Sequence, residues 1–194
     1  MKIKKIILSL VSSCCLLSSC MGSSITSIAG NAATSERGIN TTVDDTFIYT
    51  KIKASLLKLS IKNLANVNVT VSNGRVLLIG ESKNNNQRLK IVKEVWKVKG
   101  VKEVYNELVI GDNYSVMQKT KDLWLGSKIK TILLFDSKIY TNNFSLEVFD
   151  SVVYLIGISR NLEENQKIEQ NIKEFSGVKK LKSFIKQSKE DFSD

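Results

Sequence analysis

The thiol of Cys20 is the side chain best placed for covalent chemistry in this sequence. It follows Leu17-Ser18-Ser19, and ahead of these stand Lys2, Lys4 and Lys5 and an apolar run from Ile6 to Leu17. A basic start, an apolar stretch too short to cross a bilayer as a helix, and small residues before a cut are the parts of an export leader. Leu-Ser-Ser-Cys matches the lipobox pattern, in which the peptidase cuts before the cysteine and the thiol carries a diacylglycerol. Cys14, after Val11-Ser12-Ser13, fits more loosely and would leave an apolar run of only Ile6 to Val11, so Cys20 is the expected lipidation site. An ordinary signal peptide is the alternative. Met21 is not the aspartate that typically holds such lipoproteins in the inner membrane, so the expected destination is the outer membrane, facing the periplasm.

Little else is equipped for bond-making. Cys14, Cys15 and Cys20 are the only cysteines and there is no histidine, so cleavage at Cys20 leaves no thiol for a disulfide and no imidazole for a base or a metal. Glu103, Glu107 and Glu163-Glu164 form no recognisable spaced set and read as solvated strand and helix residues. No enzyme, metal site or cofactor is implied. The formal net charge of +10 points to an anionic partner instead. Export with a lipid anchor argues against nucleic acid and leaves a lipid headgroup or a cell-wall polymer.

A second kind of chemistry is non-covalent. Lys121, Trp124, Lys128, Thr131 and Phe135 are spaced by three or four residues, which places them on one stripe of a helix. Aromatic rings flanked by lysines suit a membrane interface, where the rings sit at headgroup depth and the ammonium groups meet lipid phosphate. Trp124, Lys121, Lys128 and Phe135 are therefore the candidate lipid-binding residues. The same spacing also suits a Trp124 packed into the core or between domains. The core face of that helix is expected at Leu125, Ile129, Ile132 and Leu133.

The elements behind the stripe come in two copies. Val76-Leu77-Leu78-Ile79-Gly80 recurs as Val153-Tyr154-Leu155-Ile156-Gly157, Gly100-Val101-Lys102 as Gly177-Val178-Lys179, and Lys51-Ile52-Lys53 as Lys128-Ile129-Lys130, all at the same offset of 77. In the first copy, Asp44 or Asp45 can cap a helix from Thr46 to about Ser60. Val67, Val69 and Val71 alternate, Asn73-Gly74 is a hairpin turn, and Val76 and Leu78 alternate on the return. A second helix from about Asn85 to Lys99 carries Leu89, Val92, Val95 and Trp96, with Gly100 as its stop and Val101 entering a third strand. Trp96 is expected in the core or between domains, and the lysines from Lys179 to Lys189 along a solvated edge. The fold class is α+β: two tandem α-β-β-α-β domains, each with two helices packed on a three-stranded mixed sheet. The expected limits are a leader at 1–19, the lipidated cysteine and a flexible tether at 20–42, domains at 43–111 and 119–187, and a charged tail at 188–194.

This order of elements resembles the BON domain, through the Val-Leu-Leu-Ile-Gly strand after its turn and the Gly-Val strand entry. With the lipobox, Thr42-Val43-Asp44-Asp45, Asn68-Val69-Thr70-Val71 and Val104-Tyr105-Asn106-Glu107, the chain is similar to the dual-BON-domain outer-membrane lipoproteins. The resemblance implies a periplasm-facing lipoprotein that binds anionic phospholipid through its second BON domain and supports envelope integrity. It also places a membrane-contacting Trp at the helix position of Trp124. The turn at Asp150-Ser151 lacks the usual Gly, and the tail after Ile185 is longer and charged. Recruitment to division sites does not transfer on these residues. The alternative function is a lipid-tethered scaffold that docks a periplasmic protein or the cell wall.

Overall fold

Ile48, Ile52 and Leu56 recur at helical spacing and all three are buried, which sets the inward face of α1 (Gly38–Lys58). The computed structural model describes residues 38–59 and 66–188. Val67 and Val69 of β1 (Val67–Ser72) cover the inward side of α1. Asn73 and Gly74, at φ 55° and 75°, turn the chain into β2 (Arg75–Ser82). Positive φ at both turn residues matches the twist of the flanking strands. Asn84 then caps α2 (Asn85–Trp96) by accepting the Gln87 amide at 2.9 Å. β3 (Glu103–Ile110) lies parallel to β2 and β1 antiparallel to it, giving the mixed sheet order β1-β2-β3.

The second copy repeats this plan with α3 (Val116–Phe135), β4 (Phe144–Phe149), β5 (Val152–Ser159), α4 (Leu162–Lys173) and β6 (Lys180–Gln187), in the sheet order β4-β5-β6. A short 3-10 turn at Thr141–Asn143 precedes β4. Leu125, Ile129 and Leu133 of α3 pack with Val153, Leu155, Ile168 and Ile172. The architecture is α+β, two domains of two helices on one three-stranded sheet.

Every residue of β2 is buried. Val76 and Leu78 face the helices of their own domain, while Leu77 and Ile79 face the other sheet, meeting Tyr154, Ile156 and Phe149. The two sheets thus pack face to face and the helices lie outside them, in the order helices, sheet, sheet, helices. This is why the Val-Leu-Leu-Ile run is apolar at four consecutive positions: a strand covered on both sides has no polar face. Tyr105 stacks on Phe184 with centroids 4.5 Å apart, and Lys182 pairs with Glu107 across the same junction. Thr70 and Glu147, equivalent positions in the two copies, are hydrogen-bonded at 3.4 Å. The guanidinium of Arg75, 4% exposed, donates to the carbonyls of Phe184 (2.8 Å) and Gly157 (2.6 Å). Burial, then the charges of Glu107 and Asp150, push the Tyr154 hydroxyl up to about 12, so it stays neutral.

Several expectations shift. α1 begins at Gly38, not at Thr46, because the carboxylate of Asp45 is not a cap. It accepts the amides of Asn73 (2.7 Å) and Gly74 (2.8 Å), and nothing from Ile39 to Asp44 breaks a helix. Two of the terminal lysines, Lys182 and Lys186, also pair with Glu107 and Glu103 of the first domain, Lys186 while still exposed on the edge strand. Glu164 is buried and accepts the amides of Tyr140 and Arg160 at 2.8 Å each.

α2 ends at Trp96, and Gly100 stands four residues later, at the entry to β3, with φ 98°; Gly177 has φ 95°. Both need glycine for their conformation, but their surroundings differ. A Cβ on Gly100 would lie 2.9 Å from Ile48 Cδ1, whereas one on Gly177 would lie 3.7 Å from Leu125 Cδ1. Each Gly→Val variant should lose about 1 kcal/mol or more through backbone strain. Gly100→Val should lose more than Gly177→Val, because the core side chain must also move. Urea unfolding of the two variants checks the order, and a larger loss at Gly177 would contradict it.

Candidate functional site

α3 is the most exposed apolar element of the second domain and the one that carries the stripe. Ser115 caps it by accepting the Gln118 amide at 3.1 Å. Its buried side is Asp122, Leu125, Gly126, Ile129 and Leu133. Ile132, expected on that side, is exposed instead, because the core line of the helix runs 125, 129, 133. At Gly126, an added Cβ would sit 3.2 Å from Val148 Cγ2, so the helix lies close on the sheet.

The opposite side is the stripe. Trp124 is 59% exposed and Phe135 82% exposed, with Lys121 and Lys128 exposed beside them. The four residues thus share one outward face, and Trp124 packs neither in the core nor between the domains. The Lys128 ammonium sits 3.6 Å from the centroid of the Trp124 ring. Such a contact at an exposed site contributes about 0.5–1 kcal/mol and holds the ring side-on to solvent. Cys20 lies outside the described residues.

Three features of the face were not read from the sequence. Met117, four residues before Lys121, extends the stripe by a turn and is exposed. It lies ahead of the expected domain limit at 119. The hydroxyls of Thr120, Ser127 and Thr131 bond back to the carbonyls four residues earlier at 2.9–3.0 Å, so they do not depend on water. Finally, the helix has one acidic residue, Asp122, and it is buried at 2% exposure. The outer face carries lysines with no carboxylate on its own helix to neutralise them.

Asp122 works inward. It accepts the amides of Asp150 (2.6 Å) and Ser151 (3.0 Å), the Tyr114 hydroxyl (2.7 Å) and the Gln118 side-chain amide (2.9 Å). Asp150 and Ser151 stand at φ 49° and 61°, so the clamp holds a turn that has no glycine. Burial and the adjoining Asp122 carboxylate raise the Tyr114 hydroxyl well above its ordinary range. In the first domain, Asp45 does the same at Asn73-Gly74. The equivalent outward residues there are Phe47 and Lys51, with the ammonium 5.1 Å from the ring.

Among the described residues no group of three or more Cys, Asp or Glu side chains could hold a metal ion. No helix among them is long and apolar enough to cross a membrane. The face can offer apolar rings, ammonium groups and a methionine to an anionic surface.

The BON domain profile matches residues 44–112 and 121–189. The chain is 32% identical over 155 residues to the outer membrane lipoprotein DolP of Haemophilus influenzae, covering 79% of this chain and 80% of that protein. It is 31% identical over 145 residues to the "uncharacterized protein in gshII 5′ region" of Anaplasma centrale, covering 74% and 95%. The osmotically-inducible protein Y of Escherichia coli is 29% identical over 146 residues, covering 74% and 73%.

Proposed function

The chain belongs to the BON-domain family, and we propose that it is a lipoprotein of the outer membrane whose second domain binds anionic phospholipid through α3. Cys20 carries the acyl anchor, the domains face the periplasm, and the protein supports the integrity of the envelope. The protein acts by binding, not by catalysis.

The observation that carries the reading is the Lys128–Trp124 contact on an outward stripe free of carboxylates. In water a half-exposed tryptophan is a cost; at the headgroup level its apolar body is buried and its N–H finds a partner. Met117 and Phe135 extend the apolar line to either side, and each nearby lysine adds about 1 kcal/mol of attraction to an anionic leaflet. The likeness to an outer membrane lipoprotein supports the compartment.

The test uses the mature chain with Cys20→Ser, which lacks the anchor. It should co-sediment with phosphatidylglycerol vesicles, and Trp124→Ala should weaken that binding roughly tenfold with an unchanged far-UV spectrum. Phe47→Ala, the equivalent change in the first domain, should alter it little. Raising the salt should weaken binding further, since exposed charges are screened beyond about 10 Å at 0.1 M. A protein that ignores these vesicles while remaining folded would favour the scaffold that docks a periplasmic protein or the cell wall.

A further inference from the structure

The exposed tryptophan on the other side of the molecule is not explained by a membrane face on α3. Trp96 is 51% exposed and Leu89, one helical face away at i−7, is 55% exposed. The side of α2 that packs inward is Ile91 and Val95, so Leu89, Lys93 and Trp96 turn outward together. Val92 is half-buried beside them.

Charge separates this helix from its counterpart. From Arg88 to Lys99 the first copy has Arg88, Lys90, Lys93, Lys97 and Lys99 against Glu94 alone. The matching stretch of the second copy, residues 165–176, has Lys167 and Lys173 against Glu169 and Glu174, and so carries no net charge. At the offset of 77, Leu89 corresponds to Gln166 and Trp96 to Lys173. Lys90, Lys93 and Lys99 are exposed, and the one acid of α2, Glu94, is paired with Lys97. α2 therefore carries an outward tryptophan among lysines, as α3 does in the second domain, whereas its counterpart α4 does not.

These two helices do not share a surface. The layers run helices, sheet, sheet, helices, so α2 and α3 lie on opposite outsides of the paired sheets. With layers about 10 Å apart, the two outer faces are separated by roughly 30 Å or more. A flat bilayer that meets Trp124 cannot also meet Trp96.

We propose that the outer face of α2, with Leu89, Lys93 and Trp96 at its centre, is a second contact site for an anionic phospholipid surface, directed away from the first, so that one chain bridges two bilayers. The occupant follows from composition and charge. The centre of the face is apolar and aromatic, and Lys90, Lys93 and Lys99 around it are exposed and can meet lipid phosphate. The contact at α2 stands on its own observations, whereas the bridging rests on the reading of α3 as the first membrane face.

The sequence contains two tryptophans, which makes the faces separable. In the mature chain with Cys20→Ser, Trp124→Phe leaves Trp96 as the reporter. Its emission should move to the blue with phosphatidylglycerol vesicles and stay fixed with phosphatidylcholine vesicles. The parent with Trp124 intact should cluster phosphatidylglycerol vesicles, read as turbidity. Leu89→Ser with Trp96→Ser should require roughly tenfold more protein to do so, while still co-sedimenting through α3. Both replaced residues are exposed, so far-UV circular dichroism should confirm the fold.

A Trp96 emission that does not move would overturn the α2 site. Clustering that survives Leu89→Ser with Trp96→Ser would overturn bridging through it. If adding Trp124→Ala to Leu89→Ser with Trp96→Ser leaves vesicle binding untouched, while Trp96 still shifts in the Trp124→Phe chain, the α3 reading fails and the bridge with it, but the α2 site stands.

Discussion

Arg75→Ala should lower the stability of the folded chain by about 3 kcal/mol, because each hydrogen bond from a charged donor contributes about 1.5–3 kcal/mol and two are lost. The guanidinium is buried between the sheets and satisfies two carbonyls of the second domain, those of Phe184 and Gly157. Alanine removes both bonds and leaves the volume of the guanidinium unfilled between the sheets. For a chain of this size the melting temperature should fall by roughly 10 °C. Arg75→Lys should recover part of the loss, since an ammonium can reach one carbonyl but lacks the planar fork that spans two. The change should be most visible at the junction: amide protection in β5 and β6 should fall before protection in the core of the first domain. An Arg75→Ala variant that melts with the parent would show that the sheets are held by their apolar residues alone.

Asp122→Ala should cost more than its counterpart in the first domain. Four donors lose their acceptor, and two of them are the amides of Asp150 and Ser151, non-glycine residues at positive φ. Each such residue carries about 1–2 kcal/mol of backbone strain that the clamp offsets. The expected loss is about 3–4 kcal/mol by urea unfolding. Asp45→Ala removes two bonds from a turn in which Gly74 already takes one of the positions, and should cost about 2 kcal/mol. The mechanism has its own check. Adding Ser151→Gly to Asp122→Ala should restore about 1 kcal/mol, because glycine relieves the strain that the carboxylate had held in place. If the double variant is no more stable than Asp122→Ala, the clamp does not act through the turn.

Local pattern carried much of this fold to the surface of the sequence. The repeat at 77, the alternating valines of β1, the Asn-Gly turn and the core positions Ile52 and Ile129 each depend on residues within one turn or one strand pair. What escaped depends on partners far along the chain. Asp45 looks like a helix cap until its acceptors are seen to serve amides 28 and 29 residues away. Leu77 and Ile79 break the alternation of β2 because a second sheet covers them, a fact set by residues of the other copy. The carboxylates that Lys182 and Lys186 meet also belong to the other copy. Trp96 is expected in the core or between domains, yet it is 51% exposed, because Ile91 and Val95 already fill the inward side of α2. For the stripe on α3 the spacing groups Lys121, Trp124, Lys128 and Phe135, and the same spacing sets Asp122 on the core line with Leu125 and Ile129; what it lacks is the distant turn at Asp150-Ser151 that the carboxylate serves.

The junction between the sheets has a consequence for how the two copies came to differ. Tyr105 on Phe184 and Glu107 with Lys182 are the same pair of sites seen from either side, one contact aromatic and the other ionic. Two identical chains meeting there would have to repeat each contact, and a change in one would appear twice. Joined in one chain, the halves meet at an effective concentration of millimolar order whatever their abundance, and each site can be chosen separately. Arg75 then faces a second domain that has Val152 in the equivalent place, an arrangement closed to a symmetric dimer. Fusion thereby turns a self-complementary surface into a lock with a distinct key, and it frees the two outer helices to carry unlike faces.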